Sequence, residues 1–190
     1  PGGDKGKIGM AISPANPDVI YAIIELAGST GGVYRSVNRG ETWSKQSSYI
    51  SSSPQYYNEL VAHPHDPDVV YSLDTYLQIS VDGGKNFNAV PNTNRHVDDH
   101  ALWIDPADPD YLLVGCDGGV YDSHDRGATW AFRANMPITQ FYRVSVDNQK
   151  PFYYLYGGTQ DNGTWGGPST SRDPKGIHPS ERGFVGGGDG

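Results

Sequence analysis

The 190-residue chain has a single cysteine, Cys116, only two methionines, and no apolar run approaching the roughly 20 residues of a membrane-spanning helix. One thiol cannot close an internal disulfide, so packing and hydrogen bonds must hold the fold. Cys116 itself is expected to be a small buried thiol. Positive charge is scarce too, with 14 Lys and Arg against 22 Asp and Glu and a net charge of −8. No basic run stands out, which speaks against nucleic acid as a partner, and membrane insertion is not expected. The acidic balance argues for solubility and, weakly, for cationic partners. No signal peptide is visible, although the abrupt "PGGDKGK" start is compatible with a position downstream of one.

Turn formers and tyrosine are abundant: 25 Gly, 14 Pro and 13 Tyr, with hydrophobic residues at only 36%. That mix predicts many short strands joined by tight turns. Four stretches are alike: "MAISPANPDVIYAI" (10–23), "LVAHPHDPDVVYSL" (60–73), "LWIDPADPDYLLVG" (102–115) and "VSVDNQKPFYYLYG" (144–157). Each has an apolar alternation, a Pro/Asp/Asn turn and a second apolar stretch. Their prolines Pro17, Pro67, Pro109 and Pro151 stand 50, 42 and 42 residues apart.

A second motif, Ser-x-Asp/Asn-x-Gly-x-x-aromatic, follows in three repeats: Ser36, Asn38, Gly40 and Trp43; Ser80, Asp82, Gly84 and Phe87; Ser123, Asp125, Gly127 and Trp130. A short acceptor at its third position, a glycine free to take positive φ and an aromatic that packs back on the sheet make a hairpin turn. These residues are therefore expected to be structural. The fourth repeat carries only a degenerate version, Asp161-x-Gly163-x-Trp165.

In the third repeat, strands are predicted near 101–105, 111–116, 119–123 and 128–133. Four strands at a period of about 42 residues define β-propeller blades; a parallel β-helix has a shorter repeat. The chain is thus expected to be an all-β propeller segment over 1–190. Its blade-like repeats fall at approximately 7–47, 57–91, 99–136 and 140–190, the last irregular. A larger propeller of seven or more blades, or a double propeller, is expected to complete it, with a four-bladed ring as the alternative.

The Ser-x-Asp-x-Gly-x-x-Trp turns resemble the Asp boxes of bacterial-neuraminidase (BNR) repeat proteins. The string "DDHALWIDPADPDYLLVGCDGGVYDSHDRGATW", followed by "QFYRVSVDNQKPFYYLYGGTQDNGTW", resembles the large microbial proteins grouped with the sortilin N-terminal propeller. Members of that group are often described as glycosyl hydrolases. The resemblance implies a secreted, cell-surface or periplasmic protein whose remaining blades are partners of this segment. Asp boxes occur on sialidases, xyloglucanases, sortilins and photosystem assembly factors, so they do not choose a function. Xyloglucan-cleaving relatives carry their acids in Asp-x-Gly-Gly turns between the second and third strands. "CDGGVY" offers Asp117 there with one residue fewer, and "GSTGGVY" has no acid.

Propeller topology places the 4–1 crossovers and 2–3 turns on one face, beside the channel. "RHVDDH" (95–100), "QYYNE" (55–59), "DTYLQ" (74–78), "CDGG" (116–119) and "GTQDNG" (158–163) converge there. If 96–100 is extended, His96, Asp98 and His100 point to one side, as a metal set would. No cysteine or second histidine pair completes it, so neither metal nor cofactor is expected, and a calcium site is equally unsupported. A glycosidase would need two carboxylates, with Asp117, Asp98, Asp99 and Asp161 the candidates. A sialidase would need an arginine triad, for which Arg95 is the main candidate.

The third chemistry is binding. Tyr56, Tyr57 and Tyr76 offer rings, and His96, His100, Asn58, Gln160 and Asn162 offer directional hydrogen bonds. Recognition of an extracellular polysaccharide or of a protein or peptide ligand is the expected function. A glycoside hydrolase is the alternative, and an architectural domain of a surface assembly the third reading. "GGPSTSRDPKG" (166–176) is expected to be a surface excursion rather than a blade strand.

Overall fold

A computed structural model describes residues 3–136 and 139–188. The extreme ends of the expected 1–190 span, and Pro137 and Ile138, lie outside the described residues. The described chain is all-β: four antiparallel four-stranded sheets, each wound in chain order. The first holds β1 (Lys5–Ile12), β2 (Ile20–Leu26), β3 (Gly32–Ser36) and β4 (Ser44–Ser47). The second holds β5 (Glu59–Ala62), β6 (Val70–Leu73), β7 (Gln78–Ser80) and β8 (Asn88–Ala89). The third holds β9 (Asp99–Ile104), β10 (Leu112–Cys116), β11 (Gly119–Ser123) and β12 (Ala131–Phe132). These three blades make one compact unit, residues 1–133. No helix among the described residues is long and apolar enough to cross a membrane.

The core of this unit lies between blades, because period-2 alternation gives every strand two faces and both must be covered. Tyr21, Ile23 and Val33 of blade one pack with Leu60 and Val70 of blade two. Tyr71, Leu73 and Leu77 of blade two pack with Ile104, Leu112, Val114 and Tyr121 of blade three. Strand β6 has a neighbour on each side, and all four of its residues are buried. Its sequence, Val-Tyr-Ser-Leu, is correspondingly close to a continuous apolar run.

The three Ser-x-Asp/Asn turns join third to fourth strands with one bonding scheme. Each serine Oγ accepts the glycine amide, from Gly40 at 2.8 Å, Gly84 at 2.9 Å and Gly127 at 2.8 Å. It donates to the next acceptor, Asn38 at 2.9 Å, Asp82 at 2.8 Å and Asp125 at 2.7 Å. Gly40, Gly84 and Gly127 take φ of 88°, 89° and 89°, which an L side chain resists. Phe87 stacks on Tyr49 with ring centres 4.1 Å apart, and the Trp130 indole donates to the Pro91 carbonyl at 2.8 Å.

Hydrogen bonds from the Asn86 side chain and amide, and from Ser80, hold the Asp82 carboxyl down at about 2. Those from the Thr129 side chain and amide, and from Ser123, do the same for Asp125, also about 2. A carboxyl depressed by folding stabilises above its unfolded value of about 3.9, and that contribution disappears as pH falls toward 2. Carbon NMR titration is expected to find both groups near 2 and the urea midpoint to fall across that window. In Asp82→Asn/Asp125→Asn the fall becomes shallower, since Asn38 already serves the first turn without titrating. Two carboxyls titrating near 4 would contradict the turn geometry.

The second unit, residues 134–190, is described by itself. Its sheet holds β13 (Phe141–Val146), β14 (Tyr154–Thr159), β15 (Thr164–Pro168) and β16 (Gly183–Gly186). Two expectations are corrected here. Asp161-x-Gly163-x-Trp165 joins β14 to β15, so it is not this sheet's version of the third-to-fourth-strand turn. That connection is a longer excursion over 169–182, ending in a single 3-10 turn at Pro179–Glu181. Gly166, Gly167 and Pro168 belong to β15 rather than to the excursion. Gly166 fits there because a Cβ would lie 2.8 Å from the Tyr156 ring.

Candidate functional site

In the three-blade unit, the crossover at 95–98 is clamped between two turns. The Asp98 amide donates to the Thr75 carbonyl at 2.9 Å and the Asp99 amide to the Asp74 carbonyl at 3.0 Å, tying it to the β6–β7 turn. The Asp117 amide donates to the Asp98 carbonyl at 3.3 Å, tying it to the β10–β11 turn. His96 lies over Gly118, where a Cβ would come within 2.3 Å of the His96 Cβ. The glycine after Asp117 is therefore needed for the close approach.

Within this clamp four side chains form a closed ring. The Tyr57 hydroxyl donates to Asp98 Oδ1. Carboxylate oxygens of Asp98 and Asp117 lie within 4.8 Å of each other. His100 Nε2 stands 3.3 Å from Asp117 Oδ1, and the His100 ring stacks on Tyr57 at 5.4 Å. Burial, then the bond to Asp98, pushes the Tyr57 phenol well above its ordinary value, so it is a permanent donor near neutral pH. The Asp117 side chain is only 8% exposed, whereas that of His100 is 43% exposed. Tyr56, 65% exposed, precedes Tyr57 in the sequence, and Tyr76, 47% exposed, follows Thr75, whose carbonyl accepts the Asp98 amide.

Several candidates are placed elsewhere. Residues 96–100 are not extended: Asp98 has φ of 66°, so His96, Asp98 and His100 do not share one side as a strand would give. His96 Nδ1 instead sits 3.0 Å from the Val97 carbonyl. Asp99 is fully buried and paired with Arg95, also fully buried, so it is no catalytic candidate and Arg95 no arginine for a substrate carboxylate. Asn58 is fully buried, accepting from the Ser51 hydroxyl at 2.9 Å and donating to the Lys7 carbonyl at 3.1 Å; it cannot touch a ligand. Tyr57 presents its ring to His100 and its hydroxyl to Asp98, not a stacking face to solvent.

In the second unit, Asp161 and Asn162 are exposed on the turn between β14 and β15, with Asp161 at φ of 53°. The Asn162 amide donates to the Gln160 carbonyl at 2.8 Å. Asp74, not among the candidates, is buried and accepts the Ser52 amide at 3.0 Å and the Tyr49 hydroxyl at 3.1 Å. Its only signal was membership of the "DTYLQ" turn, because partners 22 and 25 residues away leave no local pattern.

Stacked blades built from four antiparallel strands define a β-propeller segment. No family model matches the chain, and no curated protein does. Among solved structures, the chain is similar to the GH74 enzyme of Niastella koreensis, with a TM-score of 0.57 and 13% identity over 94% of this chain. It is also similar to the GH74 xyloglucanase of Xanthomonas campestris, with a TM-score of 0.53 and 20% identity over 84% of this chain. It spans 29% of the length of each.

Proposed function

We propose that this segment is an extracellular recognition domain that binds a polysaccharide at the Tyr57–Asp98–Asp117–His100 ring. The carrying observation is two carboxylates within 4.8 Å of each other, with exposed Tyr56 preceding Tyr57 of the ring and exposed Tyr76 following Thr75, whose carbonyl accepts the Asp98 amide. Paired carboxylates accept hydrogen bonds from adjacent sugar hydroxyls, and a tyrosine ring covers the apolar face of a pyranose. The Ser-x-Asp turns serve as Asp boxes holding the blades, and the remaining blades of a longer, sortilin-like chain would be further partners.

A glycoside hydrolase is the competing reading, since the solved relatives include a xyloglucanase. With oxygens within 4.8 Å of each other, Asp98 and Asp117 stand closer than the about 6.5–9.5 Å between the carboxyls of inverting enzymes. The test is affinity electrophoresis against xyloglucan and other soluble polysaccharides, with a reducing-end assay on the same samples. Tyr76→Ala is expected to weaken binding about tenfold and Asp98→Asn by a similar factor, without release of reducing ends. Reducing ends that vanish in Asp117→Asn would establish the hydrolase instead. Binding to peptide arrays but to no polysaccharide would move the ligand class to protein.

A further inference from the structure

The turn between first and second strands has one design in every repeat, and one repeat departs from it chemically. Its first residue sends its amide to a carbonyl beyond the turn: Ser13 to Val19, His63 to Val69, Asp105 to Tyr111 and Asp147 to Tyr154. The side chain of that residue then accepts amides inside the turn. Ser13 accepts from Asn16 at 3.3 Å, Asp105 from Ala107 at 2.8 Å and Asp147 from Gln149 at 3.1 Å. In blade two the acceptor is an imidazole nitrogen: His63 Nδ1 takes the amides of His65 at 3.2 Å and Asp66 at 3.1 Å.

The blade-two turn also carries ties to both neighbours in its unit. Toward blade one, the Pro67 carbonyl accepts the Tyr21 hydroxyl at 2.6 Å, and Asp68 pairs with Arg35. Toward blade three, His65 Nε2 donates to the Pro106 carbonyl at 2.7 Å. We propose that His63 is a proton-operated latch: neutral, it holds the 63–68 turn closed across three blades, and a proton taken from solvent at Nδ1 opens that turn.

The sign follows from the bonding. Two amide hydrogens point at the Nδ1 lone pair, and a proton placed there would face both, so protonation removes both bonds. Burial disfavours the cation and holds the His63 pKa below its ordinary value; Arg126 of blade three and His65 act the same way. Asp66 of the turn and Asp110 of blade three oppose them. The latch is therefore fully closed above the unfolded histidine value of about 6.5, and its contribution is lost as pH falls through the lower folded value. The His65 bond to Pro106 needs a proton on Nε2 and survives protonation of its own ring, so the switch lies in His63.

The experiment is amide hydrogen exchange by NMR on the whole chain from pH 7.5 to 5, expressed as protection relative to an unfolded chain at the same pH. Protection of the His65 and Asp66 amides is expected to fall on the order of tenfold for each pH unit below the folded value, while β6 amides keep theirs. In His63→Asn, whose oxygen accepts without titrating, protection in the turn is expected to be flat. Equal falls in both proteins, or none in the wild type, would overturn the latch. Should His63→Asn not fold, nitrogen shifts of the wild-type His63 ring decide it. The ring must titrate with the same midpoint as the His65 and Asp66 amide shifts, and a ring that titrates while those amides stand still overturns the proposal.

Discussion

Asp99→Ala is expected to lower the free energy of unfolding by about 3–5 kcal/mol, among the largest effects of any single substitution in this protein. Arg95 and Asp99 face each other with both side chains fully buried. The guanidinium bonds both carboxylate oxygens, the second at 3.1 Å, and lies 4.8 Å over the Trp130 ring. The same Asp99 oxygen accepts the Leu77 amide of blade two at 2.9 Å. Burial pushes the Asp99 carboxyl above its ordinary value, and Arg95 and the Leu77 amide offset only part of that cost. Removing the acid leaves an unpaired buried cation and an unsatisfied amide at the junction of two blades. Urea unfolding checks this, and a loss under about 1 kcal/mol would show that water reaches Arg95. In Arg95→Met/Asp99→Leu, which removes both charges, much of the loss is expected to return.

Gly9→Ala is the second. Gly9 pairs with Ile23 in the middle of β1–β2, where nothing in the strand pattern asks for a glycine. A Cβ there would lie 1.8 Å from the Asn58 carbonyl oxygen, which belongs to the backbone leading into blade two. Backbone cannot swing aside as a side chain can, so one methyl must part blades one and two. Asn58 has φ of 59° and is fixed by Ser51 and Lys7, which leaves little room for adjustment. Overpacking of this kind lowers stability by about 3 kcal/mol. Thermal unfolding measures it, and a near-neutral Gly9→Ala would mean that the blades are not in contact at this point. The reverse change in the interface, Leu60→Ala, is expected to destabilise as well, through a cavity instead of a clash.

The site was legible only in part. That "RHVDDH" and "CDGG" belong to one region followed from counting strands within each blade, and the structure joins them through Asp98 and Asp117. Which acid does what was not legible. Asp98 and Asp99 are adjacent and chemically identical, yet one sits in a left-handed turn under a tyrosine hydroxyl and the other is buried against an arginine. Asp98 meets Tyr57 from 41 residues away, whereas Asp99 meets Arg95 four residues away and the Leu77 amide 22 residues away, and the long-range partners leave no local pattern. Tyr56 and Tyr57 diverge for the same reason, one exposed and the other closed against His100.

By itself the amino-acid sequence determined the repeat, the four strands of each blade and, in the first three blades, the turn that joins the third to the fourth. Each of these rests on forces acting within about ten residues: alternation of apolar side chains, a serine and an acid two apart, a glycine at positive φ. Tertiary structure alone decided which polar groups stay exposed and which are sealed between blades. Desolvation depends on what the neighbouring blade brings to a position, and that neighbour lies some 40 residues along the chain.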